Sequence, residues 1–378
     1  MSDNINDTRK AYIAGIGMIT SIGADTEMTA AAINADYSGY RISGYRTRKG
    51  QPITLAEVPD ELFSTFPEGI NGGDHYSDHS DRMIKMSLIA INEALATPTG
   101  NQTITQPIPL VLVMPEPQTN VDDIDYSLLI KNLIKYGELP LSPELVTRTH
   151  TGRAGGIQGL DWVFRYLYEL DYDYVLLGGS DCYLNHPRLE QLDAAQRLLA
   201  PGVMDGFTPG EGAGFLLLTR HPQQALSQNN HIIALHPPGI GEEPGHLHDD
   251  SDRPYRGDGL DQAFKKALVE NPGNNIHTIY SSMNGEHYWA KECSVALLRN
   301  EAHLQERITV AHPADCYGDL GAATGSVLIG LAAQQLLKQP GPATHLVYSS
   351  ADGPLRAAVR VEKIAQPIGQ RSSSHERT

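Results

Sequence analysis

Three phrases between residues 147 and 220 decide the fold: TRTHTGRAGGIQGL (147–160), YVLLGGSD (174–181) and DGFTPGEGAGFLLL (205–218). Within the second, Asp173 to Leu177 is a short apolar run of strand-forming residues followed by Gly178-Gly179. This pattern predicts a buried strand that ends on a turn.

A run of small residues at 151–156 precedes a helix that we predict over Gly159 to Leu170, where apolar side chains recur at helical spacing. In α/β enzymes, a glycine-rich turn before a buried helix commonly presents a nucleophile or binds an anion. Here the run reads Thr-Gly-Arg-Ala-Gly-Gly and contains neither cysteine nor serine. The stretch therefore has the layout of an enzyme site without the usual nucleophile.

The composition is that of a globular protein with an acidic surface. With 378 residues, the chain is long enough for one large domain or two packed halves. The formal net charge of −16 argues against binding to nucleic acid or to an anionic membrane surface. The first residues are polar and no stretch resembles a membrane span, so we expect a cytoplasmic protein without membrane insertion.

Strands and helices alternate along both halves. In the first half we predict strand Ala11 to Ile16, helix Thr26 to Ala35, a long loop over residues 36–80, a helix capped by Ser80-Asp81, strand Ile108 to Met114 and helix Tyr126 to Tyr136. In the second half we predict strand His231 to Leu235, helix Gly259 to Leu268, strand Thr278 to Ser282, helix Ala322 to Leu337, and strands His345 to Ser349 and Ala357 to Glu362.

Both halves begin with a strand that leads into Gly-Ile-Gly, which indicates a duplicated α/β unit with helices on both sheet faces. The polar stretch from Pro222 to Asn230 is the predicted seam. We therefore divide the chain into halves at residues 1–225 and 226–365, followed by a disordered tail at 366–378.

Four phrases, in this order along the chain, resemble the β-ketoacyl synthase branch of the thiolase-like superfamily: AYIAGIGMITSIG (11–23), YVLLGGSD, DGFTPGEGAGFLLL and GDLGAATGSV (318–327). The resemblance implies a five-layered α-β-α-β-α fold made of two similar halves, and a homodimer. It also implies a Cys-His-His site that condenses acyl thioesters carried on acyl carrier protein or coenzyme A.

Aligned on these phrases, each catalytic position of the family holds another residue here. The nucleophilic cysteine falls on Arg153, the first histidine on Asn284 and the second histidine on Asp319. The family lysine falls near Ala314, and the gating phenylalanine near Asp352. The resemblance therefore implies that no catalytic group is intact and that these five positions are vestigial.

Condensation needs a thiolate that accepts the acyl group and N–H donors that stabilise an enolate oxyanion. An arginine stays protonated at neutral pH, and a carboxylate at position 319 has the wrong sign for an oxyanion. Because a cation at a helix N-terminus is opposed by the helix dipole, we expect Arg153 to pair with an acid. Since positions 153 and 319 converge in one pocket in the family, the resemblance implies that Asp319 is this acid, and we predict an Arg153–Asp319 salt bridge in a filled pocket.

Two histidine clusters favour loops and caps over metal sites. Gly245-His246-Leu247-His248-Asp249-Asp250 lacks a further histidine at hydrolase spacing, so we interpret it as a solvated loop. Asp74-His75 with Asp78-His79 and Asp81 precedes a helix, which favours capping and surface charge. We therefore expect no metal and no cofactor.

Other side chains have both a structural and a functional interpretation. Cys182, Cys293 and Cys316 are too few and too scattered for a disulfide framework or a zinc knuckle. Cys182 is expected to be a half-buried thiol, and Cys316, although more consistent with a structural cysteine, is the better candidate for residual thiol chemistry. Trp162 and Trp289 are expected in the core.

Two functional hypotheses follow. In the first, the chain is a catalytically degenerate ketosynthase-like protein that is homodimeric through its central strands and binds other proteins. The resemblance suggests either a bacterial type VI secretion accessory role as an adaptor, or pairing with an active ketosynthase as chain length factors do. In the second, it is an acyltransferase-type enzyme on acyl thioesters whose rewired site uses Asn284, Glu286, Asp319 or Cys316. Asn284, Glu286 and His287 could form a new acid–base site, although a turn at the end of a strand explains Asn284-Gly285 equally well.

Overall fold

The computed structural model describes residues 9–66, 78–96, 104, 106–117, 125–137, 140–248, 253, 255–269 and 276–367. Its strands are β1 (Ala11–Thr20), β2 (Arg41–Arg46), β3 (Pro52–Leu55), β4 (Ile108–Val113), β5 (Leu141–Thr149), β6 (Tyr174–Cys182), β7 (Glu211–Thr219), β8 (His231–Leu235), β9 (Gly239–Glu242), β10 (Ile276–Ser281), β11 (Leu304–Ala311), β12 (Ala343–Ser350) and β13 (Leu355–Ala365). Its helices are α1 (Thr26–Asn34), α2 (Asp78–Ala96), α3 (Tyr126–Gly137), α4 (Gly155–Gln158), α5 (Leu160–Tyr168), α6 (His186–Ala194), α7 (Asp258–Leu268), α8 (His287–Arg299), α9 (Ala314–Tyr317) and α10 (Thr324–Lys338).

The strands of the described chain form one large mixed sheet and a separate hairpin, β2-β3. The order across the large sheet is β11-β10-β12-β13-β8-β1-β7-β6-β4-β5, and β9 pairs with β13. Outward from the β8–β1 contact, the first half runs β1-β7-β6-β4-β5 and the second half runs β8-β13-β12-β10-β11. If β2, β3 and β9 are left out of the count, the order in each half is first, fifth, fourth, second and third strand. The two halves therefore share one topology and meet where Ala11 pairs with Leu235 and Tyr12 with Ala234.

Helices lie outside and between the two halves of this sheet, which gives the five layers of a thiolase-like fold. Helices α2 and α7 pack on the outer faces, and α10 contacts β7 of one half and β12 of the other. Nearly every side chain of α10 is buried, as expected for a helix that is apolar on all sides. None of the described helices is both long enough and apolar enough to cross a bilayer.

The central layer is held by a close crossing of α4 and α10. A Cβ at Gly156 would lie 2.6 Å from the backbone nitrogen of Ser326 and 2.9 Å from Gly325. The small residues after Arg153 therefore serve close helix packing, and this crossing fixes the start of α4 against the start of α10.

Several predicted elements need correction. Residues 36–80 are not one long loop, because they contain β2, β3 and a short 3₁₀ helix over Asp60–Phe63. Ser80-Asp81 does not precede a helix, since α2 already begins at Asp78. The strand at 173–177 does not stop at the glycines but continues through them to Cys182, because β7 pairs alongside it over its full length.

The predicted position of Trp162 is wrong, because its side chain is 37% exposed, whereas Trp289 is buried as expected. Within the chain, the central strand β1 pairs with β7 along Tyr12–Thr20 and with β8 at Ala11 and Tyr12, and a homodimer through the central strands remains a prediction. The free edges of the described sheet are β5 and β11. The division at residue 225 remains a prediction, and residues 368–378 of the predicted tail lie outside the described residues.

Candidate functional site

Arg153 lies in a 3₁₀ turn, Gly152–Ala154, directly before α4, and only 4% of it is exposed. Its Nη1 donates to Oδ2 of Asp319 at 2.6 Å, which confirms the predicted ion pair. Its Nη2 donates to Asp352, and its Nε donates to the carbonyl oxygen of Ser350 at 3.0 Å. The guanidinium carbon lies 4.5 Å from the ring centre of Trp289. Every nitrogen of this guanidinium is therefore engaged.

The loop between α9 and α10 places Asp319. Gly318 and Gly321 flank it with φ values of +78° and +50°, a region that glycine enters without strain. A Cβ at Gly321 would overlap Oδ2 of Asp181, which accepts the backbone N–H of Ala322 at 2.9 Å. The glycines of GDLGAATGSV and the aspartate of YVLLGGSD thus hold the Asp319 carboxylate at the start of α10.

Asn284 and Glu286, in the loop before α8, extend the cluster. The amide Nδ2 of Asn284 donates to Asp319 at 2.8 Å and to Glu286 at 3.2 Å. Arg197 donates to both oxygens of Glu286, at 2.7 and 2.8 Å. Trp289 donates its indole N–H to the same carboxylate at 3.0 Å. Glu286 is thereby fixed by a bidentate arginine pair and an indole donor.

Asp352, in the turn between β12 and β13, joins the two arginines. It accepts from Arg153 and, at 2.7 Å, from Nη1 of Arg197. Burial would raise the pKa of the Asp352 carboxyl, but Arg153 and Arg197 outweigh it and hold this pKa well below its usual range. Asp352 is therefore a carboxylate at neutral pH. We call Arg153, Arg197, Asn284, Glu286, Asp319 and Asp352 the charged cluster.

Four of the five positions singled out in the sequence thus meet: Arg153, Asn284, Asp319 and Asp352. The fifth, Ala314, is the first residue of α9, where its carbonyl oxygen accepts the hydroxyl of Tyr40 at 2.6 Å. Of the positions in the alternative hypothesis, Glu286 is in the cluster, but His287 is 80% exposed and pairs with Asp205.

Arg197 and the contacts of Trp289 were not predicted. Arg197 comes just before the phrase that begins at Asp205, and it falls outside every phrase that carries the resemblance. The sequence predicted Trp289 in the core. Its side chain is indeed buried, but the hydrogen bond that it donates to Glu286 was not predicted. No local pattern marks Arg197, because its partners Glu286 and Asp352 come from distant segments. The indole of Trp289 donates to Glu286, three positions earlier, and only its contact with Arg153 joins distant segments.

A cleft of about 770 Å³ opens beside the charged cluster. Arg197, Glu286, Tyr288 and Asp352 line it, whereas Arg153 does not. On the inner side, next to Asn284, Ala314 and Asp319, the structure has a cavity of about 10 Å³, which is at the lower limit of the space that one water molecule needs. The cluster therefore closes the space around Arg153 from the open cleft.

The three thiols are buried and lie outside the charged cluster. Burial, together with Glu211, raises the pKa of Cys182 well above its usual value, and its Sγ lies 3.1 Å from the Glu211 carboxylate. Burial also raises the pKa of Cys293 and of Cys316. Because the thiolate is the reactive form, none of these side chains has the environment of an activated nucleophile. Cys182 is fully buried rather than half-buried as predicted.

The two histidine clusters lie partly outside the described residues. Asp74 and His75 fall there, as do Asp249 and Asp250. Of the first cluster, His79 is buried, and its Nδ1 lies 3.1 Å from the side-chain nitrogen of Asn185. The second cluster includes His248, whose Nε2 lies 3.8 Å from Oδ2 of Asp352.

No family model and no curated protein matches this sequence. Solved structures do match its fold. The ketosynthase from module 6 of the bacillaene synthase of Bacillus subtilis 168 matches with a TM-score of 0.71 at 14% identity, over 95% of this chain and 72% of that one. The ishigamide ketosynthase/chain length factor matches with a TM-score of 0.66 at 18% identity, over 93% and 98%.

A third structure, the ketosynthase ApeO in complex with its chain length factor ApeC from Xenorhabdus doucetiae, matches with a TM-score of 0.68 at 16% identity, over 96% and 99% of the two chains. These matches span nearly the whole chain and agree with the duplicated strand order described above. The protein therefore has the thiolase-like fold of the ketosynthases and chain length factors, with a guanidinium–carboxylate cluster at its centre.

Proposed function

We propose that this protein is a catalytically inactive ketosynthase-like protein that acts in the cytoplasm as a binding or partner subunit. The observation that carries the proposal is the state of Arg153. At the position that the resemblance assigns to the nucleophile, a guanidinium is bound by Asp319 and Asp352 and covered by Trp289.

The electrostatics support the same conclusion. A condensing site must present N–H donors to a developing oxyanion, and removing one such donor typically costs about 10²–10³ in rate. Here Asp319 places a carboxylate at the position of the second histidine. The side-chain amide of Asn284 already donates to Asp319 and Glu286, so it does not offer a free N–H to an oxyanion. Under this proposal, five positions are vestigial: Arg153, Asn284, Ala314, Asp319 and Asp352.

For the partner, the proposal favours pairing in the manner of a chain length factor. One matching structure is a ketosynthase in complex with its chain length factor, and another is an acyl carrier protein in complex with its ketosynthase. A homodimer and a bacterial secretion-system adaptor are the other partner arrangements consistent with an inactive ketosynthase-like fold. Co-purification from the native host and identification of the bound proteins separates these partners.

Acyl transfer provides the test of inactivity. The protein is incubated with an acyl-coenzyme A and an acyl-carrier-protein thioester, and its intact mass is measured, with an active ketosynthase treated in parallel. We expect the active enzyme alone to gain one acyl group. A stoichiometric adduct on Cys182, Cys293 or Cys316 contradicts the proposal.

The alternative function is an acyltransferase-type enzyme with a rewired site. The observation in its favour is the cleft of about 770 Å³, since Glu286 and Asp352 reach its wall. Both carboxylates are held by arginines, however, so neither is placed as a free base. Turnover of an acyl thioester that is lost in Glu286→Gln would favour this alternative.

A further inference from the structure

Beside the charged cluster, and sharing Asp352 with it, three side chains from three distant segments meet at the wall of the cleft. Glu116 follows β4, His248 belongs to the loop after β9, and Asp352 lies between β12 and β13. One ligand atom of each, a carboxylate oxygen or an imidazole nitrogen, lies within 4.8 Å of the other two. Sequence reasoning assigned His248 to a solvated loop, because its cluster lacks a further histidine at hydrolase spacing; Glu116 and Asp352 are both more than a hundred positions away in the chain.

We propose that Glu116, His248 and Asp352 bind a divalent transition metal ion of the Zn²⁺ class at the wall of the cleft. Two carboxylates and one imidazole are a ligand set that Zn²⁺ and its first-row neighbours accept. Ligand atoms about 2.0–2.2 Å from one ion lie closer together than 4.8 Å, so binding requires a small closure of the side chains. The imidazole of His248 is 61% exposed and has room to make that movement.

The hydrogen bonds of Asp352 leave it able to bind a metal. Its Oδ1 accepts from Arg153 and Arg197, and its Oδ2 accepts one N–H of Arg197. Since each carboxylate oxygen has two lone pairs, Oδ2 keeps one for a further ligand. The same Oδ2 lies 3.8 Å from Nε2 of His248, so these two ligand atoms are already near each other.

Glu116 adds a carboxylate with little compensation. It accepts the backbone N–H of Gly353 at 3.3 Å, and no described lysine or arginine lies within ion-pair distance of it. Burial and the nearby Asp352 raise the pKa of Glu116, so a negative charge on Glu116 is poorly compensated where it lies. A divalent cation at this place would balance the excess negative charge, which is costly in a partly buried site.

The geometry also defines the kind of metal site. Three protein ligands leave at least one coordination position for water or another ligand, in contrast to the four-ligand cages of structural zinc. His248 and Asp352 both line the cleft, so that position faces the cleft. The ligands that fit are oxygen donors, such as a carboxylate or a carbonyl group. The site does not depend on the proposed partner role.

The test is metal binding by the full chain. The protein is stripped with a chelator, dialysed against Zn²⁺ and analysed for bound metal, and Co²⁺ is titrated while its visible absorption is recorded. We expect one equivalent per chain and Co²⁺ bands typical of nitrogen and oxygen ligands. His248→Ala and Glu116→Gln should each weaken binding by more than ~10-fold, since even residues that only support a ligand have effects of about 10–100-fold.

His312→Ala is the matched control. Nε2 of His312 lies 3.1 Å from Asp315, but this histidine–aspartate pair belongs to no three-ligand group among the described residues. We expect this variant to bind as the wild type does. Circular dichroism of each variant verifies that it is folded. An absence of stoichiometric metal, or binding that His248→Ala and His312→Ala change equally, overturns the proposal.

Discussion

The guanidinium of Arg153 keeps a full positive charge inside the protein because its surroundings replace water. Burial by itself would favour loss of the proton, but Asp352 and Asp319 raise the pKa of Arg153 well above its usual value. Asp319 is in turn held by Asn284 and by the backbone N–H of Gly321 at 2.8 Å. The residues form one connected network, in which removing a member leaves another charge unpaired.

The first prediction concerns Asp319→Ala. This change removes a carboxylate that is 2% exposed and leaves Arg153 with a single acid, so the free energy of unfolding should fall by about 3–5 kcal/mol. Urea denaturation measures this loss. The control is Glu169→Ala, which breaks an ion pair with Arg165 at the surface, where the side chains are 61% and 52% exposed respectively. This change should lower the free energy of unfolding by roughly a few tenths of a kcal/mol. Equal losses in the two variants would mean that Arg153 does not need Asp319.

At the scale of elements, the crossing of α4 and α10 decides where the charged cluster forms. Arg153 precedes α4, and Asp319 precedes α10, so the distance between these two helix starts sets the ion pair. Gly156 and Gly325 allow this close approach, because each would place a Cβ 2.9 Å from the other's Cα.

The second prediction is that Gly156→Ala destabilises the fold. The added methyl would lie 2.6 Å from the backbone of α10, and such overpacking typically costs about 1–3 kcal/mol. Thermal unfolding measures the change. Gly44→Ala is the matched control, because no atom lies within 4 Å of its added Cβ. An unchanged midpoint for Gly156→Ala would show that the helices can separate freely at this point.

The third prediction is a pH dependence that arises between β10, β12 and α10. His345 is fully buried, and its ring centre lies 5.3 Å from that of His277. Burial, with a smaller effect of His277, lowers the pKa of His345 from 6.5 to about 4. In the unfolded chain the ring takes a proton near pH 6.5, whereas in the folded chain it stays neutral down to about pH 4. Stability should therefore fall as the pH drops through this window.

The pKa shift of His345 sets an upper limit on the stability that is lost at low pH. A shift from 6.5 to about 4 corresponds to a loss of at most roughly 3 kcal/mol. In His345→Leu this part of the pH dependence should disappear, as measured by urea denaturation at pH 7 and pH 4.5. His287→Leu, at a ring that is 80% exposed, is the control and should keep the wild-type dependence. An equal pH dependence in all three proteins would contradict the assignment to His345.

At the scale of the whole molecule, the two edges of the large sheet differ. Strand β11 exposes Gln305, Glu306 and Arg307, and charged edges oppose pairing with another chain. Strand β5 exposes Pro143, Glu144 and Arg148, and the residues between them, 145–147, are half-buried. Within the proposed partner role, β5 is therefore the edge better suited to a second ketosynthase-like chain.

The fourth prediction is that the protein dimerises through β5. Leu145→Lys should weaken the dimer by ~10-fold or more, because it places a charge where apolar contact is needed. Thr309→Lys, on the exposed face of β11, should leave the association unchanged. Sedimentation equilibrium measures both. A monomer at all concentrations would indicate that association needs a different partner chain, and a dimer that is indifferent to Leu145→Lys would exclude this edge.

The sequence by itself determined the duplicated α/β fold and which catalytic residue types are missing, because strand patterns, helix periodicity and packing glycines are local properties. The family resemblance of its phrases also predicted the Arg153–Asp319 pair, since the matching positions of the family converge in one pocket. The sequence did not show the hairpin β2-β3, the continuation of β6 through its glycines, or the free edges of the sheet. These depend on which strands come to lie side by side.

Only the tertiary structure placed Arg197 and Glu116 beside the residues they contact, and Trp289 beside Arg153. Arg197 reaches Glu286 and Asp352, and His248 reaches Asp352, across more than eighty positions of the chain. An ion pair or a ligand set of this kind has no local signature, because its energy depends on distance in space and on burial. The fold thus follows from short-range patterns, whereas the chemistry of its centre follows from how the two halves pack.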